Sequence, residues 1–123
     1  MADNFDSLTP AEWILMKAVW DRGTATVREI HEAVCQRTGW AYSTVKTMLE
    51  RMEKKGLLRV QRVGPVKRFS ARRRRRDLLQ KAVERFLDNV LDGSLAPLIP
   101  YIAKARGLSA REIQELKRIL EED

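Results

Sequence analysis

The sequence predicts a mainly α-helical protein with a single β-hairpin after its third helix, and three observations lead to this fold class. Capping signals and helix-spaced apolar residues mark six helices. Two short runs rich in Val, Leu and Phe, separated by Gly64-Pro65, predict the hairpin. The 123-residue chain has a net charge of +7, and the basic excess lies in residues 1–76. This length suits one compact core with an appended segment.

Three helices are predicted before the hairpin, at about Pro10–Asp21, Val27–Arg37 and Ser43–Lys55. The first two follow Thr9-Pro10-Ala11-Glu12 and Thr26-Val27-Arg28-Glu29, which have the spacing of capping boxes. The third helix has no capping side chain at Ala41. Its apolar residues form one face, and its other faces are polar. That apolar face consists of Val45, Met48, Leu49 and Met52.

The hairpin and three more helices complete the predicted chain. The strands are Leu57–Val63 and Val66–Ala71, followed by the five arginines Arg72–Arg76. These arginines are either a strip that contacts phosphates or the solvated start of a helix, where cations are unfavourable. A long helix then carries a broad apolar stripe and ends before Gly93. Two more helices are predicted, at about Leu95–Ala105 and Ala110–Glu121. The second of them follows another capping box.

The order of three helices and a hairpin is that of a winged helix-turn-helix domain, which we predict for residues 1–71. Residues 72–123 are predicted to form a helical dimerisation region, because the stripe on the long helix exposes too much apolar surface to stand alone. The alternative is that these helices fold back as one monomeric core. Residues 1–76 carry a net charge of +9 and residues 77–123 one of −2, so the winged domain is the part expected to meet nucleic acid.

Composition argues against several other classes of protein. One Cys and one His exclude a disulfide framework, and they leave no set of residues for a multi-ligand metal centre or a Ser–His–Asp site. We therefore predict a non-enzyme with no cofactor and no metal. The longest apolar runs have four residues, so we expect a cytoplasmic protein without a membrane span. His31 and Cys35, four residues apart, leave a redox or metal sensor as an alternative.

Several segments resemble the penicillinase repressor family (the BlaI/MecI/CopY group). The segments are Leu8–Trp13, Val19-Trp20, Thr26–Glu29, Gly39–Val45 and Leu49–Leu58, and the resemblance covers nearly the whole chain. It implies a transcriptional repressor that binds an inverted-repeat operator in double-stranded DNA as a homodimer. In this arrangement the recognition helix, about residues 43–55, enters the major groove, and the wing, about residues 57–71, lies on the backbone. A non-specific architectural nucleic-acid-binding protein is the alternative.

The resemblance also implies which residues bind DNA, and the apolar residues of the C-terminal helices indicate which form the dimer. The DNA-facing side chains on the third helix and the wing are Tyr42, Ser43, Thr44, Lys46, Thr47, Arg51, Arg62, Lys67 and Arg68. Trp40 is expected to pack the corner before the third helix. The apolar residues expected at the dimer contact are Leu79, Val83, Phe86, Leu87, Val90, Leu91, Leu98, Ile102, Ile113, Leu116 and Leu120.

Two departures from the family concern the inducing signal. Members that respond to β-lactams are inactivated by proteolysis at an Asn-Phe bond in the C-terminal region, where this sequence has Tyr101-Ile102. A regulatory protease, if one acts on this chain, therefore cuts another bond. Copper-responsive members carry a cysteine-rich C-terminal motif, and the segment after Gly107 has no cysteine.

Overall fold

The computed structural model describes residues 8–93, 96–107 and 109–121, apart from the side chains of residues 103, 105–106, 116–117 and 119–121. The chain divides into two compact units, Met1–Ala82 and Val83–Asp123, here called the N-terminal and C-terminal units. The sequence predicts a functional boundary after residue 71, between a DNA-binding domain and a dimerisation region. That boundary stays a prediction. The elements are α1 (Pro10–Arg22), β1 (Thr24–Ala25), α2 (Val27–Thr38), α3 (Tyr42–Lys54), β2 (Leu58–Val63), β3 (Val66–Ala71), α4 (Arg75–Val90), a short 3-10 helix (Ala96–Leu98), α5 (Ile99–Arg106) and α6 (Ala110–Glu121).

The first two helices begin at the predicted capping boxes. The Thr9 hydroxyl oxygen accepts the backbone N–H of Glu12 at 3.1 Å, and the Glu12 carboxylate accepts the backbone N–H of Thr9 at 2.9 Å. Thr26 and Glu29 make the same pair of bonds at the start of α2. Helix α3 begins at Tyr42, and its N-cap residue Ala41 provides no hydrogen bond from a side chain, as the sequence predicts. Its start must therefore be held by other contacts.

The hairpin belongs to an antiparallel sheet of three strands in the order β1-β3-β2. Sequence reasoning missed β1, which has only two residues and therefore shows no alternating pattern. It pairs with β3 through Thr24↔Ser70 and Ala25↔Phe69. Gly64, with φ +64, supplies the left-handed turn between β2 and β3. The sheet thereby joins the start of α2 to the base of the wing.

The register of β2 and β3 sorts the side chains of the wing onto two faces. Directly paired residues lie on the same face, and successive pairs alternate between faces. Leu58 and Phe69 are each 1% exposed. The pairs Leu58↔Ala71 and Val60↔Phe69 therefore lie on the face of the sheet that packs against the core. The pair Arg62↔Lys67 continues this face beyond the core, whereas Arg59 lies on the opposite face. Two basic residues of the wing are thus directed to the side on which the helices pack.

The core of the N-terminal unit is built from α1, α2, α3 and the sheet. Leu78, from the beginning of α4, is also part of it and is only 2% exposed. The other buried members are Leu15, Met16, Ala18, Val19, Ala25, Val27, Ile30, Val34, Val45, Leu49, Met52, Leu57, Leu58 and Phe69. Burying this many apolar side chains is the main stabilising contribution to the unit.

The arginine run is fixed to α1 and to the residue just before β2. The backbone N–H of Arg72 donates to the Leu57 carbonyl at 3.0 Å, and the Trp20 indole N–H donates to the Arg73 carbonyl at 3.0 Å. The Arg75 guanidinium lies 6.0 Å from the centre of the Trp20 ring. Helix α4 starts at Arg75, three residues before the first residue of the predicted apolar stripe, so the last two arginines of the run lie in its first turn.

The C-terminal unit contains the end of α4 and the two last helices. Helix α4 ends at Val90, and the Gly93 N–H donates to the Leu87 carbonyl at 2.7 Å. The helix predicted at Leu95–Ala105 appears as a 3-10 helix followed by α5, with Pro100 in the first turn, where a missing N–H is tolerated. Leu95 lies outside the described residues. Ser109 and Glu112 form the predicted third capping box.

In the part of the chain that the structure describes, no helix is long and apolar enough to cross a membrane.

Candidate nucleic-acid interface

One groove of about 590 Å³ lies between the start of α2, the start of α3 and the tip of the wing. We call it the basic groove, because four of its nine lining residues are cations: Arg28, Lys46, Arg62 and Lys67. The complete lining consists of Thr26, Val27, Arg28, Tyr42, Lys46, Arg62, Pro65, Val66 and Lys67. Four positive side chains on a concave surface attract a polyanion.

Helix α3 contributes its exposed polar side to this surface. Val45 and Leu49 are fully buried, so the helical period leaves the predicted DNA-facing residues on the outside. Tyr42 is 48% exposed and lines the basic groove together with Lys46. The other predicted residues of the helix are exposed but do not line the groove, and they are Ser43, Thr44, Thr47 and Arg51.

The wing brings two of its three predicted residues into the groove. Arg62 and Lys67 line it, and the Lys67 ammonium lies 3.9 Å from the Glu50 carboxylate on α3. Arg68 pairs with Gln61 in the sheet register and therefore lies on the opposite face. Its guanidinium is 3.9 Å from the Glu29 carboxylate. The structure thus separates Arg68 from the other two.

The pKa of Glu29 lies below its ordinary value of 4.5. The main cause is the hydrogen bond from the Thr26 backbone N–H; desolvation opposes it, and the positive charges of Arg68 and Arg22 add to it. A lowered carboxyl pKa means that the ionised Glu29 stabilises the folded state; this contribution is fully present above pH 4.5 and is lost as the pH falls through the lower folded-state value. The start of α2, which borders the groove, is therefore capped at neutral pH.

Sequence reasoning missed Arg28 as a member of this surface. The residue is exposed in the first turn of α2, between the buried Val27 and the capping carboxylate of Glu29. Its place in the sequence shows only that it belongs to a capping box. Its position beside the wing depends on the pairing of β1 with β3, which is a contact distant in sequence.

Among the residues that the structure describes, the lone cysteine has no cluster of metal ligands around it. Cys35 is a free, half-buried thiol, and its Sγ lies 3.9 Å from the Glu32 carbonyl oxygen. Among the described residues, no group of three or more His, Cys, Asp or Glu could hold a metal ion. The sensor alternative stays a prediction without support from this geometry.

The fold and the groove define the class of this protein: a winged helix-turn-helix protein whose third helix and wing share a basic surface. The family model described as penicillinase repressor matches residues 8–122. The chain belongs to the penicillinase repressor family, as its sequence motifs predict.

Two relatives show the extent of the similarity. The chain is 29% identical over 115 residues to the penicillinase repressor of Bacillus licheniformis. The aligned part is 94% of this chain and 90% of the relative. It is 26% identical over 113 residues to the methicillin resistance regulatory protein MecI of Staphylococcus aureus strain N315. The aligned part is 92% of each protein.

Two solved structures confirm the predicted winged-helix fold. The DNA-binding domain of the repressor BlaI matches with a TM-score of 0.54 and 25% identity, over 62% of this chain and 93% of that one. The monomeric form of Bacillus licheniformis BlaI in complex with the blaP half-operator matches with a TM-score of 0.52 and 27% identity. This match covers 58% of this chain and 87% of that one.

Proposed function

We propose that this protein is a transcriptional repressor that binds an inverted-repeat operator in double-stranded DNA as a homodimer. The observation that carries the proposal is the basic groove, in which cations from α2, α3 and the wing meet on one surface. The family and the likeness to BlaI, one structure of which contains a half-operator, support DNA as the partner. An electropositive surface of this kind provides the sequence-independent part of the affinity.

Sequence recognition is assigned to the N-terminal half of α3 in the major groove. Ser43, Thr44 and Thr47 present exposed hydroxyls, which bind either base edges or phosphates. Lys46 and Arg51 are exposed cations on the same helix. Arg62 and Lys67 on the wing are assigned to the phosphate backbone beside this groove. Arg68, which lies on the opposite face of the wing and does not line the groove, is assigned a smaller share of that contact.

Dimerisation is assigned to the apolar stripe on α4. Leu79, Val83, Phe86 and Val90 are 52%, 44%, 41% and 60% exposed, which is unusual for large apolar side chains on one helix face. Their spacing of four, three and four residues is that of a coiled-coil seam. Packing this stripe against a second copy of the chain removes it from water.

Other apolar residues assigned to the dimer contribute less exposed surface. Half-buried members on α4 and in the C-terminal segment are Leu87, Leu91, Leu98, Ile102 and Ile113. The side chains of Leu116 and Leu120 lie outside the described residues. A two-fold dimer pairs two identical DNA-binding units, and it therefore binds half-sites about 34 Å apart or a multiple of that distance.

Selection of bound duplexes from a random pool by the purified full chain tests this proposal. We expect a palindromic sequence to be enriched and to bind at least about a thousandfold more tightly than bulk DNA. Binding without enrichment would instead identify the architectural alternative. No binding to any duplex would overturn the assignment to DNA altogether.

The arginine run gives a separate prediction about salt dependence. Arg72, Arg74 and Arg76 are exposed, whereas Arg73 and Arg75 contact Trp20. If the first three bind phosphates, their joint replacement by Gln makes the negative slope of log K against log salt less steep, by about 0.9 for each phosphate that is no longer neutralised. The slope is measured by fluorescence anisotropy with the selected operator between low and physiological salt.

A control variant removes the same charge elsewhere. Arg85, Lys104 and Arg111 are exposed cations of α4, α5 and α6, and their replacement by Gln also lowers the net charge by three. We expect this variant to keep the original slope. Equal slopes for both triple variants and the unsubstituted protein would show that the arginine run makes no phosphate contact.

A further inference from the structure

The turn before the recognition helix is short and has no cap of its own. Only residues 39–41 connect α2 with α3, and the N-cap residue Ala41 has no side chain that can accept a hydrogen bond. Gly39, with φ +73, closes α2 by donating its N–H to the Cys35 carbonyl at 2.7 Å. The direction in which α3 leaves this turn must therefore be fixed by neighbouring side chains.

Both polar backbone groups of Trp40 are bound by side chains of α2. The His31 Nε2 lies 3.0 Å from the Trp40 carbonyl oxygen, and because a carbonyl can only accept, Nε2 carries the hydrogen. The Trp40 N–H donates to the Thr38 hydroxyl oxygen at 3.2 Å. That hydroxyl in turn donates to the Val34 carbonyl at 2.9 Å. The Trp40 side chain packs against the core, as the sequence predicts.

His31 also contacts the first residue of α3. Its ring meets the Tyr42 ring edge to face, with centroids 5.8 Å apart and an interplanar angle of 76°. Tyr42 lines the basic groove, whereas His31 does not. One imidazole on α2 thus holds the backbone on one side of Ala41 and the aromatic side chain on the other.

We propose that His31 is a positioning residue for DNA recognition, a role that rests on the proposed function above. It fixes the Trp40 carbonyl and the Tyr42 ring, and so sets the orientation of the N-terminal turn of α3. Hydrogen bonds to base edges depend steeply on distance and angle, so a small change in this turn weakens base contacts. Phosphate contacts discriminate poorly between sequences and are affected less.

Three substitutions of His31 separate this role from packing alone. In H31Q the amide nitrogen reaches about as far as Nε2 and can still donate to Trp40. In H31N the amide nitrogen reaches only as far as Nδ1, and H31L has no donor. Dissociation constants are measured for the selected operator and for an unrelated duplex of the same length, together with thermal unfolding of each variant.

We expect H31N and H31L to bind the operator about tenfold more weakly, as loss of one partly buried hydrogen bond and a ring contact implies. Their affinity for the unrelated duplex should stay within about twofold of the original, and H31Q should keep most of the operator preference. Since H31Q and H31N both carry an amide, this pair tests the proposal even if H31L is unstable.

Operator binding by H31N equal to that of the unsubstituted protein would overturn the proposal. An equal loss on both duplexes, or a loss that H31Q does not rescue, would assign His31 a structural role only and would also overturn it. If the unsubstituted protein prefers no duplex, the proposed function itself fails, and this result is distinct because it needs no substitution.

Discussion

Replacement of Lys46 and Arg62 by Gln is expected to weaken operator binding by at least about a hundredfold. These two cations lie on different elements and line the same basic groove, so both are close to DNA that occupies it. Each lost hydrogen bond between a cation and a phosphate costs about 1.5–3 kcal/mol, and in a two-fold dimer each substitution is present twice. The effect is measured as a dissociation constant at fixed salt, because the affinity depends strongly on salt concentration.

A matched variant uses the same residue types on the same two elements. Lys54 is exposed at the C-terminal end of α3, and Arg59 lies on the opposite face of the wing from Arg62. Neither residue lines the basic groove. We expect K54Q/R59Q to change operator affinity by less than about threefold at physiological salt, where distant charges are screened. Equal losses of affinity in both double variants would mean that net charge, not the groove, determines binding.

Placing glutamates in the apolar stripe is the second substitution with a large expected effect. Val83 and Phe86 are 44% and 41% exposed on α4, and V83E/F86E puts two like charges into each copy of the proposed contact. Charged side chains without partners are costly to bury, so the variant should be monomeric in sedimentation equilibrium. Without a linked second subunit, operator affinity should fall by about 10²–10⁴-fold, while half-site affinity is unchanged.

The control for this variant lies on the other side of the same helix. Lys81 and Arg85 are exposed, and helical geometry places them away from the stripe. K81Q/R85Q lowers the net charge by two, as V83E/F86E does, and should stay dimeric with operator affinity within about threefold. A V83E/F86E protein that remains dimeric would rule out the stripe as the contact.

Helix starts could be predicted from the sequence because their signals are local. Thr9 and Glu12 satisfy each other's backbone groups within four residues, and so do Thr26 and Glu29. The start of α4 has no such local cap. The sequence predicts a helix start in the arginine run only as one of two alternatives, and α4 begins at Arg75, beside an Arg73 carbonyl that is bound by Trp20, 53 residues away.

The basic residues of the candidate site were only partly predictable for the same reason. The exposed side of α3 follows from the period of Val45 and Leu49, so the sequence predicts Lys46 on that side. The face of the wing on which a residue lies depends on the strand register, so the sequence alone does not separate Arg68 from Arg62. Arg28 joins the groove only through the pairing of β1 with β3.

The burial of Leu78 has a consequence for dissecting the protein by truncation. A fragment that ends at Ala71, after the last strand, would lack this side chain and leave a leucine-sized void in the core of the N-terminal unit. Voids of that kind cost about 2–5 kcal/mol, a large share of the stability of a small domain. The minimal autonomous fragment for DNA work therefore extends past Leu78, towards the end of the unit at Ala82.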